Sequence, residues 1–86
     1  MQSRKTRHFR RLFSGLPPDV QRDARQAWRH FRNNPAHPGL QFKKLDSQNN
    51  IYSARIGLDY RALAVMKKDG IVWYWIGSHS EYDRLI

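Results

Sequence analysis

Phe9, Leu12, Phe13 and Leu16 recur three and four positions apart, which predicts a helix from about Thr6 to Gly15. Pro17, Pro18 and Asp19 end it, because the ring of a proline pushes the residue before it out of the helical region. A second helix starts at the same place, since Pro18 suits a first helical position and Asp19 favours the positive end of the helix dipole. Val20, Ala24, Ala27, Trp28 and Phe31 form its apolar stripe. Asn33, Asn34 and Pro35 stop it, and the segment from Pro35 to Gly39 reads as a rigid loop. The two helices make a hairpin.

Beyond Leu40 the hydrophobic period shortens to two. Runs rich in β-branched and aromatic residues predict strands over Phe42–Leu45, Tyr52–Gly57, Tyr60–Lys67 and Ile71–Ser78. The intervening turns, Asp46 to Asn50, Gly57 to Asp59 and Asp69-Gly70, are short enough to make successive strands antiparallel neighbours. The last run is apolar on both faces, so it belongs inside the sheet or beneath the helices. The expected fold is α+β: an N-terminal helical hairpin packed on a curved, mainly antiparallel sheet of about four strands.

At 86 residues the chain fits one domain, taken as 1–86. Domains of this size bury only roughly 60–65% of their unfolded surface. The three Trp among the 13% aromatic residues supply bulk for such a core. The absence of Cys removes disulfides, thiolate metal sites and thiol nucleophiles. His8, His30 and His37 are scattered without ligand spacing, so neither a metal nor a cofactor is expected. No apolar run approaches a membrane span and no signal peptide is visible, so the expected location is cytoplasmic, without membrane contact. Sixteen Lys+Arg against seven Asp+Glu give a formal charge of +9, which favours a polyanion or an acidic protein as partner.

The charge is patterned. Arg22, Arg25, Arg29 and Arg32 recur on the second helix opposite its apolar stripe, as a ridge that guides RNA, receives acidic side chains, or is an ordinary solvated face. A hairpin centred on Leu58 sets Arg55 opposite Arg61 on one face. Two facing guanidiniums repel unless they share an anion such as a phosphate or each pairs with a carboxylate such as Glu81 or Asp83. Lys43 and Lys44 on the preceding strand either enlarge that positive field or protect a sheet edge. Ser78 to Arg84 gathers titratable groups at the rim of the sheet. RNA supplies its own nucleophile, the 2′-hydroxyl, so its cleavage needs only a base, a proton donor and a cationic clamp. His79, Tyr82 and the Arg55/Arg61 pair are the candidates, against a His79 that only bonds the turn and a Tyr82 that only anchors the tail.

The segments Phe9–Pro17, Asn33–Leu40, Phe42–Leu45, Tyr52–Ile56, Asp59–Leu63 and Trp75–Asp83, in that order and spacing, resemble the RelE/ParE toxins over practically the whole chain. The resemblance implies a toxin of a type II toxin–antitoxin system, neutralised by a cognate acidic antitoxin that alone reads operator DNA. RelE-like members cleave messenger RNA in the ribosomal decoding site without a metal. Arg55, Arg61, His79 and Tyr82 match positions that handle the scissile phosphate there, and Lys43 and Lys44 resemble the basic residues of the neighbouring strand. Some nuclease members carry adjacent His and Tyr near the end, whereas here two residues separate them. The expected activity is therefore a ribosome-dependent mRNA endoribonuclease, an mRNA interferase. Two alternatives remain: a ParE-like inhibitor of DNA gyrase on the same fold, and a non-catalytic RNA-binding module that stacks bases on Trp73, Tyr74 and Trp75.

Overall fold

In a computed structural model, which describes residues 2–46 and 49–85, the helical hairpin lies on one face of a five-stranded sheet. The elements follow as β1 (Gln2–Lys5), α1 (Arg7–Ser14), α2 (Pro18–Asn33), a 3₁₀ turn (Pro38–Leu40), β2 (Lys43–Asp46), β3 (Ile51–Ile56), β4 (Tyr60–Lys67), β5 (Gly70–Ser78) and α3 (His79–Leu85). The sheet order is β1-β5-β4-β3-β2, antiparallel except where β1 runs parallel to β5. No helix among the described residues is long and apolar enough to cross a membrane.

Local chemistry accounts for the hairpin. The Thr6 hydroxyl accepts the Phe9 N–H at 3.0 Å and opens α1. At the other end, the Gln21 side chain in α2 donates to the carbonyls of Phe13, in the last turn of α1, and of Leu16, in the link that follows, at 3.1 and 3.2 Å. Pro18 starts α2, as its fixed φ predicts. The His37 imidazole accepts the Gly39 N–H at 3.1 Å, closing the turn that delivers Leu40 into the core.

The core lies between hairpin and sheet. Phe9, Ala24, Ala27 and Phe31 from the helices meet Ala54, Ile56, Ala62, Ala64, Ile71, Trp73 and Ile76 from the strands. Trp73 is the hub: its ring stands edge-on to Trp28 and Phe31, with centroids 6.2 and 5.4 Å away, and tilted to Phe42 at 6.3 Å. Small residues across α2, β3 and β4 leave the room that these rings fill.

The sheet has five strands where four were expected, and the chain ends in a third helix. β1 is polar and has no alternating pattern. It exists because the outer edge of β5 offers free backbone groups, and because the Trp73 indole donates to the Ser3 hydroxyl at 3.1 Å. The Phe42–Leu45 and Tyr52–Gly57 strands are each displaced by one residue, as β2 and β3, and the last strand starts one residue earlier than expected, at Gly70. The turn expected from Asp46 to Asn50 lies partly outside the described residues, since 47 and 48 are not among them.

Gly70 meets the Gln2 backbone so closely that a Cβ there would overlap the Gln2 carbonyl. Gly70→Ala is therefore expected to cost about 1–3 kcal/mol, the usual range for overpacking. Urea unfolding measures the loss. Faster amide exchange at Ser3 and Arg4 than elsewhere in the sheet would locate it in β1.

Candidate active site and nucleic-acid interface

The sheet face turned away from the helical hairpin holds the arginine pair expected from the sequence. In the β3–β4 ladder Arg55 stands directly opposite Arg61, as the hairpin spacing predicts, and directly opposed residues share a face. Ser53 and Leu63 form another opposed pair on that face, and Gly77 of β5 is opposite Arg61. At the end of this row α3 folds over the sheet and buries Tyr82.

Arg61 is only 6% exposed. Its Nη2 donates to Ser53 Oγ at 2.9 Å and to the Gln41 carbonyl at 3.4 Å, and its guanidinium lies 5.2 Å from the Tyr82 ring centroid. Gln41 presents that carbonyl from a left-handed backbone, φ 43°, directly after the 3₁₀ turn. The Nε–H of Arg61 is buried and has no acceptor among the described residues. A buried donor without an acceptor is costly, on the order of 1–3 kcal/mol and more for a charged group. Sites that bear such a cost are commonly completed by a ligand or water.

Neither guanidinium is neutralised by a carboxylate among the described residues. Arg55 donates Nε–H to the Gly57 carbonyl at 2.9 Å. Glu81 and Asp83, the carboxylates available by sequence, are engaged elsewhere. Glu81 accepts from the Ser78 N–H and from the Ser78 hydroxyl, both at 3.0 Å, while Ser78 Oγ accepts the Glu81 N–H at 3.2 Å. That reciprocal pair is a capping box and is what starts α3. Asp83 sits 3.5 Å from His79 Nε2, one helical turn away.

His79 opens α3 with its side chain 57% exposed, and its N–H donates to the Asp59 carbonyl at 2.7 Å. Its ring is 5.9 Å from that of Tyr82. Arg55, Arg61, His79 and Tyr82 thus come together at one corner. Tyr82 is the buried member, packed between His79 and the Arg61 guanidinium.

The basic residues divide. Lys43 is opposite Ser53 and so shares the Arg61 face, whereas Lys44 is opposite Tyr52 on the helix side, its Nζ 5.9 Å from the Tyr52 ring. Adjacent strand residues cannot both face one ligand. Arg22, Arg25 and Arg29 are exposed on α2, across the sheet from Arg61. Between that hairpin and the sheet is a cavity of about 290 Å³ walled by Phe9, Phe13, Trp28 and Trp73, with Lys5, Arg10 and Arg25 among its lining. Lys5 sits 4.2 Å from the Trp28 ring, and burial, followed by repulsion from Arg10 and Arg25, pushes its pKa below the usual lysine range. No group of three or more His, Asp or Glu that could hold a metal ion occurs among the described residues.

Sequence reasoning missed Ser53 and Gln41 as supports of Arg61. A lone serine in an apolar strand gives no signal, and neither does a backbone carbonyl. It also missed α3, although Ser78-His79-Ser80-Glu81 carries the capping-box spacing.

A sequence model of the ParE-like toxin domain matches residues 18–84. No curated protein matches the chain. A chain of the RelB–RelE antitoxin–toxin complex from Methanococcus jannaschii superposes with TM-score 0.74 at 19% identity, over 95% of this chain and 98% of that one. A chain of the RelE–RelB complex from Pyrococcus horikoshii OT3 gives 0.73 at 17%, over 91% and 93%. YafQ from E. coli strain BL21(DE3) gives 0.73 at 10%, over 94% and 96%. At these identities the likeness is one of fold.

Ser53→Ala is expected to lower stability by roughly 1–3 kcal/mol by stripping a buried cation of its shorter hydrogen bond. Thermal unfolding reads it, and a loss indistinguishable from zero would mean that Ser53 does not hold Arg61. Glu81 titrates below the ordinary carboxylate range, chiefly because it accepts the Ser78 N–H and then the Ser78 hydroxyl. A depressed carboxylate adds stability that is complete above its unfolded pKa and is lost as pH falls through its folded one. Protection factors of the α3 amides, with the pH dependence of intrinsic exchange divided out, are therefore expected to fall below the ordinary glutamate range in the native chain. In Glu81→Ala protection should already be low at neutral pH and change little on acidification.

Proposed function

The chain belongs to the ParE-like toxin family, within the RelE/ParE superfamily, and on that footing we propose that it is a toxin that cleaves messenger RNA on the ribosome without a metal. The observation that carries this reading is the arginine pair, Arg61 opposite Arg55 with no carboxylate partner among the described residues, with His79 on the other side of the Tyr82 ring. An inhibitor acting only through protein contact has no need of that constellation.

In the proposed reaction the scissile phosphate accepts from Arg55 and from the Arg61 guanidinium opposite it. His79 removes the proton from the 2′-hydroxyl, whose oxygen attacks phosphorus. The 5′-oxygen leaves and takes a proton from solvent, giving a cyclic 2′,3′-phosphate and a 5′-hydroxyl. The arginines stabilise the charge that builds on the phosphoryl oxygens. Asp83 orients the imidazole, Tyr82 supports the Arg61 guanidinium, and Lys43 draws the flanking backbone onto the same face. The ribosome holds the message extended.

The cognate antitoxin supplies an acidic segment. Its carboxylates meet Arg22, Arg25 and Arg29 on α2 and the crowded cations Lys5 and Arg10, where positive charge stands beside an apolar cavity. Operator DNA is contacted by the antitoxin.

Cut-site mapping on a translated message, with and without ribosomes and in the presence of chelator, tests the activity. His79→Ala is expected to slow cleavage by about 10²–10⁴-fold and Arg61→Lys by about 10²–10³-fold, the usual worth of a positioned base and of a charge-stabilising donor. Circular dichroism confirms that each variant folds. Growth arrest with inhibited supercoiling and no cuts would replace this reading with gyrase inhibition. Separately, Arg25→Glu combined with Arg29→Glu is expected to weaken binding of an acidic antitoxin peptide by at least about tenfold at low salt. Unchanged affinity would return the ridge to a solvated face.

A further inference from the structure

β5 carries Trp73, Tyr74 and Trp75 in succession, and strand alternation alone would aim Trp73 and Trp75 at the same face. A register shift prevents this: Ala64 is opposite Trp73 and Leu63 is opposite Trp75, which leaves Tyr74 as an extra residue. Such a bulge re-aims every side chain beyond it. Trp73 therefore stays in the core beneath the hairpin, and Trp75 emerges on the face of Leu63 and Arg61.

The place where its ring lies is specific. Gly77, the next residue of β5 on that face, is opposite Arg61, and a Cβ at position 77 would stand 2.5 and 2.7 Å from Cζ2 and Cη2 of the Trp75 indole. The six-membered ring thus occupies the space that any side chain at 77 would need, beside the arginine. Trp73 has three aromatic partners, whereas Trp75 is half-buried and has none among the described residues. An indole held close against glycine, partly open to solvent and next to an unneutralised guanidinium pair, fits a nucleobase with its phosphate attached.

We propose that Trp75 is a stacking platform for an unpaired base of the RNA whose adjoining phosphate Arg55 and Arg61 hold. The proposal rests on the RNA reading above and adds a contact to the base itself. The bulge sets the distance between the two halves of the ligand, base on the indole and phosphate on the guanidiniums. A segment threaded through this face has to be single-stranded, because a base inside a duplex has both ring faces covered by its stacked neighbours.

The test uses the full chain and a short single-stranded RNA with 2′-methoxy riboses, which cannot be cleaved, beside the same backbone with abasic positions. The indole N–H and arginine Nε–H signals are followed by NMR, with the Trp73 indole, bonded to Ser3, as an internal reference. The Trp75 signal is expected to move with the base-bearing RNA and to stay in place with the abasic one. Trp75→Leu is expected to bind the base-bearing RNA at least about fivefold more weakly and the abasic RNA equally, the lower end of the usual worth of one stacked base. If the Arg55 and Arg61 signals move while Trp75 does not, the phosphate site stands and the platform fails. If none moves and fluorescence anisotropy shows no binding, the RNA reading itself fails with it.

Discussion

The burial of the Trp73 indole organises this fold. Its ring packs against Trp28, Phe31 and Phe42, its Nε1–H holds Ser3 of β1, and its backbone carbonyl accepts the Thr6 N–H at the start of α1. One side chain thus joins the N-terminal edge strand, the hairpin and the loop that enters β2. In a chain this short the apolar area per residue is small, and a large ring that reaches several elements replaces many separate contacts. The small residues around it, Ala24, Ala27, Ala54, Ala62 and Ala64, let the helices approach the sheet closely.

With stability concentrated on one face, the other is free to hold charge. Arg61 is placed where a hydrophobic residue would stabilise more, and it is tolerated because Ser53, the Gln41 carbonyl and the Tyr82 ring each compensate part of its desolvation. The compensation is incomplete at Nε, which has no acceptor among the described residues. α3 packs over this corner through Tyr82. The Ser78–Glu81 capping box fixes where the helix begins, so His79 is held at the rim while Tyr82 turns inward beneath the guanidinium. The two sides of the sheet also separate two kinds of positive charge. The ridge of α2 and the Lys5 corner are crowded and exposed, whereas Arg61 is buried and directional.

Much of this was legible in the residues themselves. The hairpin follows from helical spacing and the Pro17-Pro18 break, and the opposition of Arg55 and Arg61 from the short Gly57–Asp59 turn, because both are local rules acting over a few positions. α3 was written as a capping box but was outweighed by its polar composition. β1 was not written at all, since its four residues carry no pattern and become a strand only when β5 is already in place beside them.

By itself the sequence determined the order of hairpin and sheet, the excess of positive charge and the identity of the residues at the polar corner, since these depend on period, turn chemistry and composition. Tertiary structure alone decided which of those residues share a surface. A one-residue bulge moves Trp75 to the face opposite Trp73, strand alternation splits Lys43 from Lys44, and the burial of Ser53 converts Arg61 from a surface cation into a fixed donor. Each outcome depends on register across strands that are distant in sequence, and register is set by the packing of the whole sheet.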